Sequence, residues 1–272
     1  MALKLMYITN DEDIAAVAEN AGVDRIFVDL EVIGKHERQG NMDTVQSKHS
    51  IEDIKKIKNV LKKSELLVRS NPVNDGTDKE IDSIIENGAD IVMLPFFKTV
   101  SEVERFLNCV QSRAKTCLLF ETPEAVENAD KILGLSGIDE VFVGLNDLSL
   151  GYGKKFMFEL LADGTVEKLC LKFRLKGIPF GFGGIAAIGT GTLPAECILK
   201  EHYRLGSQSV ILSRSFCNYE KIGDLEKIKN IFETGIADIR ACETEAECHR
   251  KFFYDNLKLE IQRINKIAEE AK

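Results

Sequence analysis

The chain has 272 residues, 44% of them hydrophobic and 29% charged, enough to bury one full core and no more than a single α/β barrel normally uses. Its formal net charge of −8 and pI near 5.3 argue against nucleic-acid or anionic-membrane partners, which are bound through clustered Lys and Arg. The seven scattered cysteines lack CxxC spacing, the N-terminus lacks the features of a signal peptide, and no apolar stretch could span a bilayer, so a soluble cytoplasmic protein with reduced thiols is expected.

Along the chain, short β-rich runs alternate with segments of helical period. The runs are Leu3–Thr9, Arg25–Glu31, Leu66–Asn71, Asp90–Phe96, Lys115–Thr122, Glu140–Asp147, Pro179–Gly184 and Ser209–Arg214. Eight such units predict a closed parallel (β/α)₈ barrel, the TIM-barrel architecture. Between the runs, Ile14, Val17, Ala18 and Ala21 recur at helical spacing, as do Ile51, Ile54, Ile57 and Leu61, and Val100, Val103, Phe106, Leu107 and Val110. Gly22, Gly88 and Gly206 follow helical segments just before strands, where a helix-ending glycine adopts a left-handed conformation at no steric cost. The connection from Val32 to Ser50 is long and polar, as functional loops often are. Barrel and tail divide at residues 1–218 and 219–272, the tail being a helical extension with Phe253, Leu257, Ile261, Ile264 and Ile267 on one face, suited to the barrel or to a neighbouring subunit.

In a parallel barrel the site lies at the C-terminal strand ends. The polar residues there are Asp29, Glu31, Arg69, Asn71, Glu121, Asp147 and Arg214. Glu121 and Asp147, on neighbouring strand ends, would repel if both were ionised, and a divalent cation between them relieves this, with hard oxygen ligands favouring Mg²⁺ or Mn²⁺. Equally, each carboxylate suits a helix cap, since both precede plausible helix starts. Arg69 suits capture of a substrate carboxylate, or a structural ion pair with Asp29 or Glu31. The run GFGGIAAIGTGT, including Gly183 and Gly184, offers backbone amides to a bound anion, or forms only a tight turn. His36 and His49, in or beside the long loop, are candidates for a general base.

These strand ends resemble the HpcH/HpaI aldolase and citrate lyase β-subunit superfamily from about Leu3 to Phe216. FVDLEVIGKHER resembles the DLED…K…AR segment of its citrate-lyase-like branch, and VRSNP its VRxN strand, whose arginine binds the substrate carboxylate. GADIVMLPFFKTVSEVERF resembles its GADGIMLPKVESAEDV stretch. LLFETPEAVENADKIL followed by VFVGLNDLSLGYG resembles the pair of segments whose Glu and Asp bind Mg²⁺. The resemblance implies a class II type aldolase or lyase without a Schiff base, with Glu121 and Asp147 as metal ligands. Arg69, with Asn71, Gly183 and Gly184, would bind a pyruvate-like 2-oxo acid or a CoA thioester through its enolate. It also implies a homo-oligomer, trimeric or hexameric. Departures are Val32 where the aldolase branch has a proton-transferring histidine, Leu119 where some branches have Gln, and Phe96 where the family pattern has Lys. Hence His36, Lys35 or a metal-bound water stands in as the base, and a transferase or phosphoenolpyruvate-type enzyme, or a non-catalytic barrel, are the alternatives.

Overall fold

The computed structural model describes residues 2–34, 49–248 and 252–271. Eight strands form a closed, wholly parallel barrel in sequence order, with the last strand pairing the first. They are β1 (Lys4–Ile8), β2 (Arg25–Asp29), β3 (Glu65–Arg69), β4 (Ile91–Leu94), β5 (Lys115–Phe120), β6 (Glu140–Val143), β7 (Phe180–Ile185) and β8 (Ser209–Leu212). Each falls within one of the runs expected from sequence or overlaps it closely, because strands covered on both faces read as continuous apolar segments.

Side chains alternate between two cores. Met6, Phe27, Leu67, Ile91, Met93, Cys117, Leu119 and Phe142 fill the barrel interior, and the intervening residues, such as Leu5, Ile26, Leu66, Val92 and Leu118, pack outward against the helices. This two-residue period decides which strand-end residues face the mouth. On β2 and β3, Asp29 and Arg69 share the face of Phe27 and Leu67, and after β5 Glu121 continues the face of Cys117 and Leu119.

The helices begin and end on local chemistry. In α1 (Glu12–Ala21), the Asp11 carboxylate accepts the Ile14 amide at 3.0 Å and Gly22 ends the helix at φ 104°. Before α2 (Ile51–Val60), Ser50 and Asp53 form a capping box, and Thr99 and Glu102 do the same for α3 (Val100–Val110). Gly88 and Gly206, at φ 103° and 77°, take the left-handed conformation expected of them. In the tail, the helix Leu225–Cys248 contributes Ile228, Phe232, Ile236 and Ile239 to the outer core. Its Glu243 accepts the Leu3 amide at 2.8 Å, and its Arg240 donates to the Leu3 carbonyl at 2.9 Å, closing the N-terminal end of β1. Among the described residues no helix is long and apolar enough to cross a membrane.

Candidate active site

A cavity of about 640 Å³ opens at the C-terminal ends of the strands, with Asp29, His49, Arg69, Glu121 and Asp147 in its lining. Arg69 is held there by a fork. Its Nε and Nη2 each donate to one oxygen of Asp29 at 2.8 Å, and its Nη1 lies 3.3 Å from Glu31 Oε2. The guanidinium also sits over the Phe27 ring, 5.6 Å from its centroid. The ion pair weighed from sequence is therefore present with both acids. It raises the arginine's pKa, the carboxylates outweighing the cost of burial, and so the charge is permanent. A guanidinium has five N–H groups, so the fork leaves donor capacity on Nη1 and Nη2.

Glu121 is 3% exposed. Its Oε1 accepts the Phe96 amide at 3.0 Å, and Phe96 presents that amide from a left-handed backbone at φ 48°, a conformation costly for a bulky residue. Burial pushes the Glu121 carboxyl up to about 8, and Glu31 and Asp147 push the same way against Arg69 and the Phe96 amide. Gly144, after β6, is what admits this carboxylate: a Cβ there would lie 2.7 Å from Glu121 Oε2 and 2.9 Å from Glu121 Cβ. Helix capping is not Glu121's role. Thr122 performs it, accepting the Ala125 amide at 3.1 Å and donating to the Phe97 carbonyl at 2.7 Å, with Pro123 at the first helical turn.

Asp147 corrects the sequence reading. The β6 strand ends at Val143, and Asp147 lies in the first turn of the helix Leu145–Gly151, where an acid is favoured by the helix dipole. It reaches the cavity from that helix and not from a strand end. Asn71 makes local bonds. Its Oδ1 accepts the amides of Val32 and Ile33 at 2.9 and 3.0 Å, and its Nδ2 donates to Glu80 at 2.8 Å. The amide is a strap for the segment after β2, and Asn71 is not part of the cavity lining.

Gly183 and Gly184 do line the cavity, beside a register shift in the β7–β8 pairing. Packing accounts for Gly183, which has φ 54° and would bring a Cβ within 2.7 Å of Leu145. His36, with Lys35 and Arg38, lies outside the described residues. His49 is inside them: its Nδ1 accepts the Asp29 amide at 2.9 Å, and the residue lines the cavity. Gly144 and the Phe96 amide were missed from sequence. The only signals for them were a glycine breaking an apolar run and a residue departing from a family pattern.

The donor set fits a hard divalent cation. Glu121 and Asp147 both line the cavity and act on one another electrostatically, and a buried carboxyl forced toward its neutral form gains most from a cation. Among the described residues no cluster of three or more His, Cys, Asp or Glu could enclose a metal. Mg²⁺ does not require one, since it is commonly held by one or two carboxylates with water and substrate completing the shell.

A closed parallel barrel with a charged cavity at its strand C-termini is the architecture of a barrel enzyme. Residues 4–165, well over half of the chain, match the HpcH/HpaI aldolase/citrate lyase family. The chain belongs to that family, whose members are aldolases and lyases and generally depend on a divalent metal. No curated protein matches the sequence. Solved structures similar to it include an HpcH/HpaI aldolase from Desulfitobacterium hafniense DCB-2, at TM-score 0.63 and 19% identity over 84% of this chain and 93% of that one. An HpcH/HpaI aldolase/citrate lyase family protein from Burkholderia cenocepacia J2315 superposes at TM-score 0.62 and 13% identity, covering 84% and 95%. The citrate synthase SbnG does so at 0.62 and 16%, covering 84% and 94%. At these identities the likeness is one of fold.

Proposed function

We propose that this protein is a divalent-metal-dependent aldolase or lyase that makes or breaks a carbon–carbon bond through the enolate of a pyruvate-like 2-oxo acid or of an acyl thioester. The observation that carries the reading is the convergence, in one cavity, of a buried carboxyl raised to about 8, a second acid and a fixed arginine. Glu121 and Asp147 are the residues that would hold Mg²⁺ or Mn²⁺. A cation bound there supplies Lewis-acid stabilisation of the charge developing on the enolate oxygen.

Arg69, immobilised by Asp29, orients the substrate carboxylate through its Nη donors, and its permanent charge opposes the negative charge that two anions bring to the site. Buried walls from Phe27, Met93, Leu119 and Phe142 beneath these polar groups exclude water from one side and strengthen each electrostatic contact. A homo-oligomer belongs to the same reading.

Release of pyruvate or another 2-oxo acid from 4-hydroxy-2-oxo acids, followed with and without Mg²⁺, tests the proposal. Glu121→Ala and Asp147→Ala are each expected to lower Mg²⁺-dependent turnover by about 10²-fold or more, as loss of a charge-stabilising group does. Their Mg²⁺ affinity, read by calorimetry, should fall in parallel. Activity that survives both substitutions would overturn the assignment.

A further inference from the structure

The C-terminal helix Phe252–Glu270 carries an acid where its packing calls for an apolar residue. On its inward face Glu260, Ile264 and Ala268 are buried at helical spacing, and Leu257, Ile261 and Ile267 are half-buried beside them. Ile264 belongs to the outer core of the barrel. Glu260 thus occupies a core position one turn before it, on a stripe that is otherwise apolar. Carboxylates are almost never buried unless they are paired, so the surroundings of Glu260 decide its state.

The helix packs on the helix Ala195–Leu205 and on the short helix Glu159–Ala162. Arg263 donates to Cys197 Sγ at 3.3 Å, and Glu260, one turn earlier, meets the next turn of that neighbour at the buried Glu201. Glu201 already holds Arg204, whose Nε and Nη2 donate to its two oxygens at 2.8 Å and whose Nη1 lies 3.1 Å from Glu167. One buried arginine therefore serves two acids before Glu260 is counted. The charged groups facing Glu260 are Glu201, Lys200 and Arg204 from the one helix and Arg263 from its own. On the short helix, Glu159 is engaged locally, its Oε1 accepting the Lys155 and Phe156 amides at 2.9 Å. Burial and Glu201 push the Glu260 carboxyl up to about 7, outweighing the three cations.

We propose that the C-terminal helix is a pH-sensitive clasp, seated firmly while the Glu260 carboxyl keeps its proton and loosened when that proton passes to solvent. In the released helix Glu260 meets water and ionises at its ordinary value of 4.5. The seated form therefore binds the extra proton, and docking weakens as pH rises from about 4.5 to about 7, by at most ~10-fold per pH unit. Above about 7 both forms are ionised and the loss levels off. The clasp braces one wall of the barrel cavity from behind. Its partner helix Glu159–Ala162 follows the cavity residue Met157 and packs on the helix Leu145–Gly151, which carries Asp147.

Hydrogen–deuterium exchange of the full-length protein at pH 5 and pH 7 tests this, read as protection factors so that the intrinsic effect of pH on exchange is removed. In wild type the amides of residues 257–268 should be less protected than those of the barrel strands, because the helix opens on its own. Their protection should fall by more than about 10-fold from pH 5 to pH 7. Glu260→Gln keeps the shape of the side chain and cannot ionise, so its protection over the same residues should change by less than about 3-fold. A wild-type helix as protected at pH 7 as at pH 5 would overturn the proposal without recourse to any variant. An equal fall in Glu260→Gln would overturn it as well, by moving the titration to another group such as Glu201. Protection equal to that of the strands at both pH values would show that the helix opens only with the whole barrel, and that there is no clasp.

Discussion

The two ends of the barrel are built on the same strands with the charges rearranged. At the N-terminal end Arg25 of β2 is paired in register with Glu65 of β3, and four residues on, at the C-terminal end, Asp29 is paired with Arg69. Below, Arg25 contacts Glu65 at 2.9 Å and Glu140 of β6 at 2.7 Å, and Lys115 of β5 contacts Glu65 at 2.6 Å. Two cations thus meet two acids. Above, Arg69 faces Asp29, Glu31 and Glu121, and Asp147 acts in turn on Glu121. Where the lower end has Lys115 on β5, the upper has Glu121; where the lower has Glu140 on β6, the upper has Gly144. One end neutralises itself and is closed. The other keeps an excess of acid around a cavity, the place where the proposed cation would sit.

The sharpest expression of this difference is opposite pH behaviour from two carboxyls of one barrel. Lys115 and Arg25 hold Glu65 below its ordinary value in spite of its burial, so its contribution to stability is present above pH 4.5 and is lost as pH falls through its folded value. Glu121, raised to about 8, remains protonated in the folded chain while the unfolded chain ionises above about 4.5. The folded state then binds the extra proton, and stability falls as pH rises from about 4.5 to about 8, by at most ~1.4 kcal/mol per pH unit. In chelator-treated protein, Glu121→Gln should therefore gain stability relative to wild type across that window. Glu65→Gln should differ from wild type by a constant amount there and converge with it only in acid. Urea unfolding at pH 5, 6.5 and 8 reads both, and a Glu121→Gln difference independent of pH would remove the contrast.

Breaking the closed end should cost stability without touching chemistry. Arg25 is almost fully buried, and burial lowers its pKa while Glu140 and Glu65 more than restore it. Arg25→Met leaves Glu140 without its bidentate partner, and removing one member of a buried pair typically costs about 3–5 kcal/mol. The denaturation midpoint should drop accordingly, while the KM of the remaining folded enzyme stays unchanged. A change in KM as large as the change in stability would mean that the two ends are coupled through the strands.

The ends also differed in how far they could be read from sequence. The eight strands were legible because buried parallel strands are apolar runs, and the helix ends at Gly22, Gly88 and Gly206 because a left-handed residue without a Cβ is distinctive. Glu121 was legible as a candidate because it is the polar residue that ends the apolar run CLLFE. Asp147 was not placed correctly, since VFVGLND continues as an apolar run past the point where Gly144 lets the chain turn helical. The bonding of Asn71 was not legible, because a side-chain amide carries both a donor and an acceptor, and local amides and Glu80 engage them here. No pattern in the sequence announces that the Phe96 amide meets Glu121, or that Arg25 closes the lower end with partners from two other strands, because those depend on register across the barrel.

Gly144 is the position where the two ends can be made more alike with a single methyl group. A Cβ at 144 would fall 2.7 Å from Glu121 Oε2 and 2.9 Å from Glu121 Cβ, closer than unstrained contacts allow. The backbone itself is unstrained for alanine, at φ −82° and ψ 92°, so the effect is one of space alone. Overpacking of this kind costs about 1–3 kcal/mol, and the side chain able to yield is Glu121, whose carboxylate would be displaced from the Phe96 amide. Gly144→Ala should therefore weaken Mg²⁺ binding and lower turnover with only a modest loss of stability. In Gly144→Ala/Glu121→Gln the second substitution should add less than it does in wild type, since the carboxylate it removes is already misplaced. Additive effects on Mg²⁺ affinity would show that Gly144 acts through some other neighbour, with Leu119, whose Cδ1 lies 3.3 Å from the same point, the next to examine.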